Sequence, residues 1–255
     1  MSIAKKARAQ SLDELRKTFG DQEVAEEGRR DAVTSLFDRI APRYDLMNDL
    51  MSFGTHRMWK AVMVRVALRK LAGISGPLVD LAGGTGDIAI AIKNASPDRE
   101  VIVADASSGM LEQARARAGD RLGYLHAPAE NLPFEGHSIA GITLAFGLRN
   151  MTHPRQALEE CARVLQPGGS LVLLEFSKPA GWFAPLYGIH SRYVIPALGS
   201  LVARDKGAYS YLVESIRRFP EGGAITRELQ AAGFAVTELR SFMFGVARMH
   251  VAEVR

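Results

Sequence analysis

Leu78-Val79-Asp80-Leu81-Ala82-Gly83-Gly84-Thr85-Gly86-Asp87-Ile88-Ala89 is the stretch that decides the fold. It opens with an apolar run short enough for a buried parallel strand. Glycines at 83, 84 and 86 break that run. Ile88, Ile90, Ala91 and Ile92 then resume as the expected buried side of a helix. Strand, glycine turn and helix form the first unit of a doubly wound sheet, which binds ligands at the carboxyl ends of its strands. Glycine suits the turn because a side chain would hold a ligand off the backbone, and because positive φ carries no steric cost there.

The pattern alone leaves the ligand open, since Gly84-x-Gly86-x-x-Ala89 also fits the loose dinucleotide fingerprint. Two features favour S-adenosylmethionine. Asp80 sits in the strand just ahead of the glycines, where a carboxylate is placed to anchor the methionine ammonium through water or a backbone contact. Asp105 closes the next apolar run, Val101-Ile102-Val103-Ala104, and can accept both ribose hydroxyl hydrogens, a role that NAD folds share. An NAD-dependent oxidoreductase would need a second catalytic constellation, and the sequence offers none.

The chain of 255 residues suits one sizeable domain with a lid or extra segment. At 47% hydrophobic and 24% charged it reads as soluble and globular. A net charge of +4 from dispersed basic residues argues against nucleic acid, while a local basic face would suit an anionic membrane surface. The single cysteine, Cys161, excludes an internal disulfide framework and a multi-cysteine metal site; its helical surroundings read as those of a buried thiol. No apolar run is long enough to span a bilayer, and no h-region follows Lys5, Lys6 and Arg8, so neither a membrane span nor a secretory signal is expected.

Residues 1–30 are charged and alanine-rich and read as a flexible tail ahead of a domain over 31–255. Residues 31–75 read as lid helices: Val33, Leu36, Phe37 and Ile40 have helical spacing, Pro42 interrupts, and Trp59, Val62, Met63 and Val66 begin another stripe. Between them lies a segment whose Tyr44 and Asn48 are expected to reach the cofactor and whose methionines are expected to line a pocket; the bland alternative is methionines that pack helices. His56 beyond it reads as a packing residue.

After the glycine turn, Lys93–Glu100 reads as a loop and Val101–Asp105 as a strand. A helix from Ser108 and a weaker strand at Leu122–His126 follow. Ser138–Phe146 and Ser170–Phe176 are two further strands, separated by a helix from Pro154 and a tight turn at Gln166-Pro167-Gly168-Gly169. Residues 177–207 form an apolar insertion, read as helices on the sheet or as a wall for a lipid substrate. Helices at Tyr209–Phe219 and Ile225–Ala232 lead to a closing hairpin, Phe234–Arg240 and Val246–Val254.

Several separated motifs coincide: YDLMNDLMSFGTHRMWK, VDLAGGTGDIA, AENLPF, FGLRNMTHP, RVLQPGGSLVLLEFSKP, PALGSLVARD and YSYLVESIRRFP, spread over roughly residues 30–250. In these the chain closely resembles the ubiquinone/menaquinone biosynthesis C-methyltransferases (demethylmenaquinone methyltransferase and 2-polyprenyl-6-methoxy-1,4-benzoquinol methylase). The resemblance implies an α/β, Rossmann-like class I methyltransferase fold. Its sheet would be seven-stranded and mostly parallel, with an antiparallel C-terminal hairpin and an N-terminal helical lid. It implies S-adenosylmethionine as donor, a prenylated quinol as acceptor and no metal. Further expectations are a cytoplasmic protein in peripheral contact with a membrane, as a homodimer or in a quinone-synthesis complex.

Carried over by position, the cofactor contacts would be Thr85, Asp105, Pro128, Ala129 and Ala145, beside Asp80, Gly83, Gly84, Gly86 and Ala106 around the turn and strand end. Where relatives often have asparagine and serine, this chain has Pro128 and Ala145, which lack a side-chain hydrogen bond. Methylating a ring carbon calls for positioning and for a base, or a cation that stabilises a developing phenolate. Arg149, always protonated, suits the cation's part. Asn150 could hold a water, with Tyr44 and His153 as alternatives. A non-catalytic cofactor-binding scaffold is the competing function.

Overall fold

The computed structural model describes residues 9, 11–189 and 206–254. A short hairpin, β1 (Thr18–Phe19) and β2 (Gln22–Glu23), precedes helices α1 (Glu26–Ile40), α2 (Tyr44–Ser52) and α3 (Thr55–Lys70). The alternating part follows as β3 (Leu78–Leu81), α4 (Asp87–Ala95), β4 (Val101–Asp105), α5 (Ser108–Ala118), β5 (Gly123–His126), β6 (Ile139–Ala145), α6 (Pro154–Val164) and β7 (Leu165–Phe176). Then come α7 (Ala184–Ile189), α8 (Lys206–Arg218), α9 (Gly222–Ala231), β8 (Phe234–Phe242) and β9 (Ala247–Val254).

The main sheet has seven strands in the order β5-β4-β3-β6-β7-β9-β8. The first five are mutually parallel, and β9 runs antiparallel to both β7 and β8. After β3 the chain moves outward to β4 and β5, then returns across β3 to lay down β6. The order therefore reverses between β3 and β6, which opens a crevice at their carboxyl ends.

Packing on both faces explains the apolar strands. All of β3 is buried. In β7 the side chains alternate: Leu171 and Leu173 face the layer with α6 and α9, while Val172 and Leu174 face the layer with α3 and α4. α4 buries Ile88, Ala89 and Ile92, whereas Ala91, expected on that side, is exposed. Lys93, expected in a loop, belongs to α4. The expected turn at Gln166–Gly169 is a bulge inside a single strand: Ile139 pairs with Leu165 and Gly141 with Ser170, so four residues loop out of the ladder. Cys161 is fully buried, which pushes its thiol up to about 12.

The N-terminal stretch departs from a flexible tail. Residues 1–8 and 10 lie outside the described residues, but Leu12 and Leu15 are buried in the core beside Phe219, Ile225 and Leu229. The Leu12 N–H donates to the Glu228 carboxylate at 3.3 Å, and the Ala9 N–H to the Arg218 carbonyl at 2.8 Å. Two leucines three apart among charges give one short turn a buried edge. Leu12→Ala should accordingly lower unfolding free energy by about 2–5 kcal/mol in a denaturant titration. A free tail would leave the midpoint unchanged.

Candidate active site

The glycine turn is shaped from beneath. A Cβ at Gly83 would lie 2.8 Å from the Asp80 carbonyl oxygen and 2.9 Å from Val103 Cγ1, so only glycine fits. Gly86 caps α4 with φ +80°. Asp80 is buried under this turn; its Oδ2 accepts from the Ala89 N–H at 3.1 Å and its Oδ1 from the Thr143 hydroxyl at 2.8 Å. Burial pushes its carboxyl up to about 7, against the opposing pull of those two bonds. Asp105, at the end of β4, accepts from the Gly84 N–H at 2.9 Å and the Ser107 N–H at 2.8 Å. Burial raises its pKa too, and the backbone bonds oppose the shift.

A first cavity opens at these strand ends. Gly84, Asp105, Ala106, Pro128, Ala129 and Ala145 line it, with Tyr44 from the start of α2 and Asn150 from the loop after β6. Val33, Thr34 and Phe37 of α1 form its outer wall. Asp80, Gly83, Thr85 and Gly86 do not line it. Thr85 instead donates its hydroxyl to Asp45 Oδ1 of α2 at 2.8 Å, and Arg117 pairs with Asp45 at 3.0 Å while donating to the Thr85 carbonyl at 2.9 Å. His153 lines neither cavity; its Nε2 lies 3.4 Å from a Glu26 carboxylate oxygen.

A second, more apolar cavity of about 380 Å³ lies beyond Phe146, which lines both. Trp59, Phe176, Phe183, Leu186, Leu212 and Ile216 supply much of its wall; Asn48, Ser52, His56 and Arg149 are among its few polar groups. Asn48, expected at the cofactor, is on this side. Met47 belongs to the core and the Met51 side chain lies outside what is described. Of the apolar insertion, Phe183, Leu186 and Tyr187 reach this cavity; Tyr193, Val194, Ile195, Leu198, Leu201 and Val202 fall outside the described residues. Phe146 has φ +57°, an unusual conformation for a bulky residue, at the point where the two cavities adjoin.

Arg149 is buried and forms an ion pair with Glu175 at 2.9 Å. It also donates to the Phe146 carbonyl, and Glu175 Oε2 accepts from the Arg149 N–H at 3.4 Å. Burial raises the Glu175 pKa and Arg149 opposes that shift. Asn150 donates to the Phe146 carbonyl at 3.2 Å and accepts from the Tyr211 hydroxyl at 3.0 Å. The whole loop hangs on Arg29, whose buried guanidinium donates to the carbonyls of Arg149, Asn150 and Met151 and to that of Thr18. His56 is buried, and desolvation lowers its pKa to about 4, aided by Lys60 and opposed by Asp49.

Sequence reasoning missed Arg29, Glu175, Phe146 and the cavity-facing position of His56. Glu175 had a readable signal, a lone carboxylate closing the apolar run SLVLLEF. Arg29 had none, because its partners are backbone carbonyls, three of them more than a hundred residues away.

The model of the ubiE/COQ5 methyltransferase family matches residues 22–253. The chain is 45% identical over 237 residues to "Ubiquinone/menaquinone biosynthesis C-methyltransferase UbiE" of Rubrivivax gelatinosus, covering 93% of this chain and 92% of that protein. It is 40% identical over 243 residues to the mitochondrial "2-methoxy-6-polyprenyl-1,4-benzoquinol methylase" of Caenorhabditis elegans, covering 91% and 83%. Among solved structures, a possible histamine N-methyltransferase of Thermotoga maritima superposes with TM-score 0.61 at 20% identity, over 88% of this chain and 100% of that one. The magnesium protoporphyrin IX methyltransferase of Synechocystis PCC 6803 with bound SAM gives 0.60 at 13% identity, over 89% and 97%. These two likenesses establish the fold.

The raised pKa of Asp80 means the folded state holds a proton that the unfolded chain releases near 3.8. Its stabilising effect is full below that value and is lost as pH rises toward about 7. Relative to Asp80→Asn, the parent should lose stability over that window with a slope of at most about 1.4 kcal/mol per pH unit. Denaturant titrations at successive pH values measure it; parallel curves would show that Asp80 is ionised throughout.

Proposed function

The chain belongs to the ubiE/COQ5 methyltransferase family, and from that premise we propose that its two adjoining cavities hold donor and acceptor for methylation of a prenylated quinol ring. It is an S-adenosylmethionine-dependent C-methyltransferase of quinone biosynthesis. The observation that carries the assignment of sites is the meeting of a polar-floored cavity and a larger apolar one at Phe146, within the FGLRN motif.

The first cavity suits the donor. A Cβ at Gly84 would project into the space below the lid, 3.8 Å from Tyr44 Cε1 and 3.9 Å from Met110 Sδ, so the missing side chain leaves room for a ligand. Asp105 is held by two backbone N–H groups with lone pairs left for ribose hydroxyls. Pro128, Ala129 and Ala145 offer small apolar walls rather than polar side chains, so recognition there rests on shape. When bound, the donor supplies a methyl group already activated on a sulfonium.

The second cavity suits the acceptor, since an apolar wall with few polar groups is what a prenylated ring requires. Arg149, with Glu175 as fixed counter-ion, supplies N–H donors toward a ring oxygen as it gains negative charge. Asn150 and Tyr44 border the donor side. With methyl and ring carbon held in line, positioning provides much of the rate.

Incubation with S-adenosylmethionine and short-chain prenylated benzoquinol or naphthoquinol should give a product heavier by one methylene, read by mass spectrometry. Donor binding without product from either ring would favour the scaffold reading. Asp105→Ala should raise the dissociation constant of the donor about 10- to 100-fold by calorimetry, the loss of hydrogen bonds to a charged acceptor. Unchanged affinity would remove Asp105 from the site.

Peripheral contact with a bilayer belongs to the same proposal. Phe53, Leu186 and Met243 are exposed at the second cavity, and Trp182 and Phe244 meet edge to face beside it with 4.6 Å between ring centroids. No helix among the described residues is long and apolar enough to cross a membrane. An apolar rim at the cavity that takes a lipid tail gives the substrate a dry route in. Replacing Trp182 and Phe244 together by alanine should weaken co-sedimentation with anionic vesicles at least about fivefold, each ring contributing roughly a kcal/mol or more of burial. Equal sedimentation would rule this surface out.

A further inference from the structure

The His56 side chain lines the second cavity, and the hydrogen bonds around it fit the tautomer in which Nε2 is an acceptor. The Ser52 hydroxyl carries one hydrogen, which it donates to the Asn48 carbonyl at 2.8 Å. His56 Nδ1 lies 2.7 Å from Ser52 Oγ. With the hydroxyl hydrogen on the Asn48 carbonyl, Ser52 Oγ accepts from Nδ1–H, and this tautomer leaves Nε2 unprotonated. Among the described residues Nε2 has no hydrogen-bond partner, and the residue lines the cavity.

We propose that His56 Nε2 accepts the hydrogen bond of a quinol hydroxyl in the second cavity and takes its proton as the ring carbon is methylated. The proposal rests on the quinol-methylating reading above and adds to it the group that Arg149 cannot be. A guanidinium only donates, and Arg149 is already neutralised by Glu175. The Thr55 hydroxyl is committed to the Ser52 carbonyl at 2.7 Å. His56 is the residue of the cavity wall whose chemistry is proton acceptance.

The surroundings serve both states of the ring. Before reaction the apolar wall keeps the imidazole neutral and able to accept. Once protonated, it has the Asp49 carboxylate 3.9 Å from Nδ1 to stabilise the imidazolium. Lys60 and Arg57 oppose that charge, and Asp87 supports it. In the step itself the hydroxyl proton passes to Nε2 and the oxygen pair feeds the ring. The ring carbon forms its bond to the methyl group, and the carbon–sulfur bond breaks with its electron pair staying on sulfur. The ring carbon then loses its own hydrogen as a proton, the oxygen recovers one from His56, and one proton in total leaves to water.

Two variants test this. In His56→Gln the amide oxygen can accept the hydrogen bond but not the proton. Turnover should fall at least about 100-fold with KM for the quinol changed less than about threefold and donor affinity unchanged. His56→Leu removes the acceptor altogether. The parent should bind the quinol about tenfold more tightly than its dimethyl ether, read by fluorescence of Trp59 in the cavity wall, and the leucine variant should lose that preference. Turnover of the glutamine variant within threefold of the parent, or an undiminished preference in the leucine variant, overturns the proposal. A parent enzyme that methylates no quinol would instead overturn the reading on which it rests.

Discussion

Two buried carboxylates that form no ion pair among the described residues fix the geometry on which the site depends. Asp80 lies under the glycine turn and Asp105 beside it. Each would be costly to bury alone, and each is offset by donors: an amide and a hydroxyl for Asp80, backbone amides for Asp105. The turn cannot relax without stripping a buried oxygen of its partner. The gap left by Gly83 over Asp80 and Val103 completes the fit. The backbone thus reaches the strand ends in one conformation, with the reversal of strand order placing the crevice beside it.

The N-terminal helices and the loop after β6 are tied to this frame by polar contacts as well as by a separate apolar cluster of Val33, Leu36, Ile40 and Met47 with Met110, Tyr211 and Leu212. Asp38 of α1 accepts from the Ser107 hydroxyl and the Gly109 N–H, holding α1 against the start of α5. Glu130 accepts from the Thr152 and His153 N–H groups, which satisfies orphan donors at the start of α6 and docks the AENLPF segment against FGLRNMTHP. Arg29 then binds the carbonyls of three successive residues in that loop. Buried backbone oxygens need donors, and a single guanidinium meets several at once. Desolvation by burial lowers its pKa, and Tyr211 and Glu130 oppose that shift.

Local rules made the parallel core legible. The apolar runs at Leu78–Leu81 and Val101–Asp105, the glycines between strand and helix, and the alternating C-terminal hairpin all express short-range sterics and burial. The first cavity was legible to the same extent, because strand ends and their following turns are contiguous in sequence. The second cavity was not. It draws Trp59, Phe176, Phe183 and Ile216 from elements far apart in the chain, and no periodicity announces that such faces converge. Leu12 and Leu15 escaped notice because two apolar residues in a charged stretch carry too little pattern to reveal a docking groove. The Gln166–Gly169 bulge was mistaken for a turn because proline and glycine signal a break in the ladder without saying whether the strand continues beyond it.

The fastening between Thr85, Asp45 and Arg117 has a consequence for how α2 is seated on the glycine turn. Those side chains are partly exposed: Arg117 and Asp45 retain 39% and 34% of their side-chain surface. Water competes for such pairs, and salt screens them. The polar side of α2 is therefore the part of its attachment that salt loosens, while Met47 anchors the helix in an apolar cluster with Ile40, Met110 and Leu212. Ionic strength thus acts on the contact between α2 and the glycine turn, one residue from the Tyr44 that lines the first cavity, while leaving the sheet untouched.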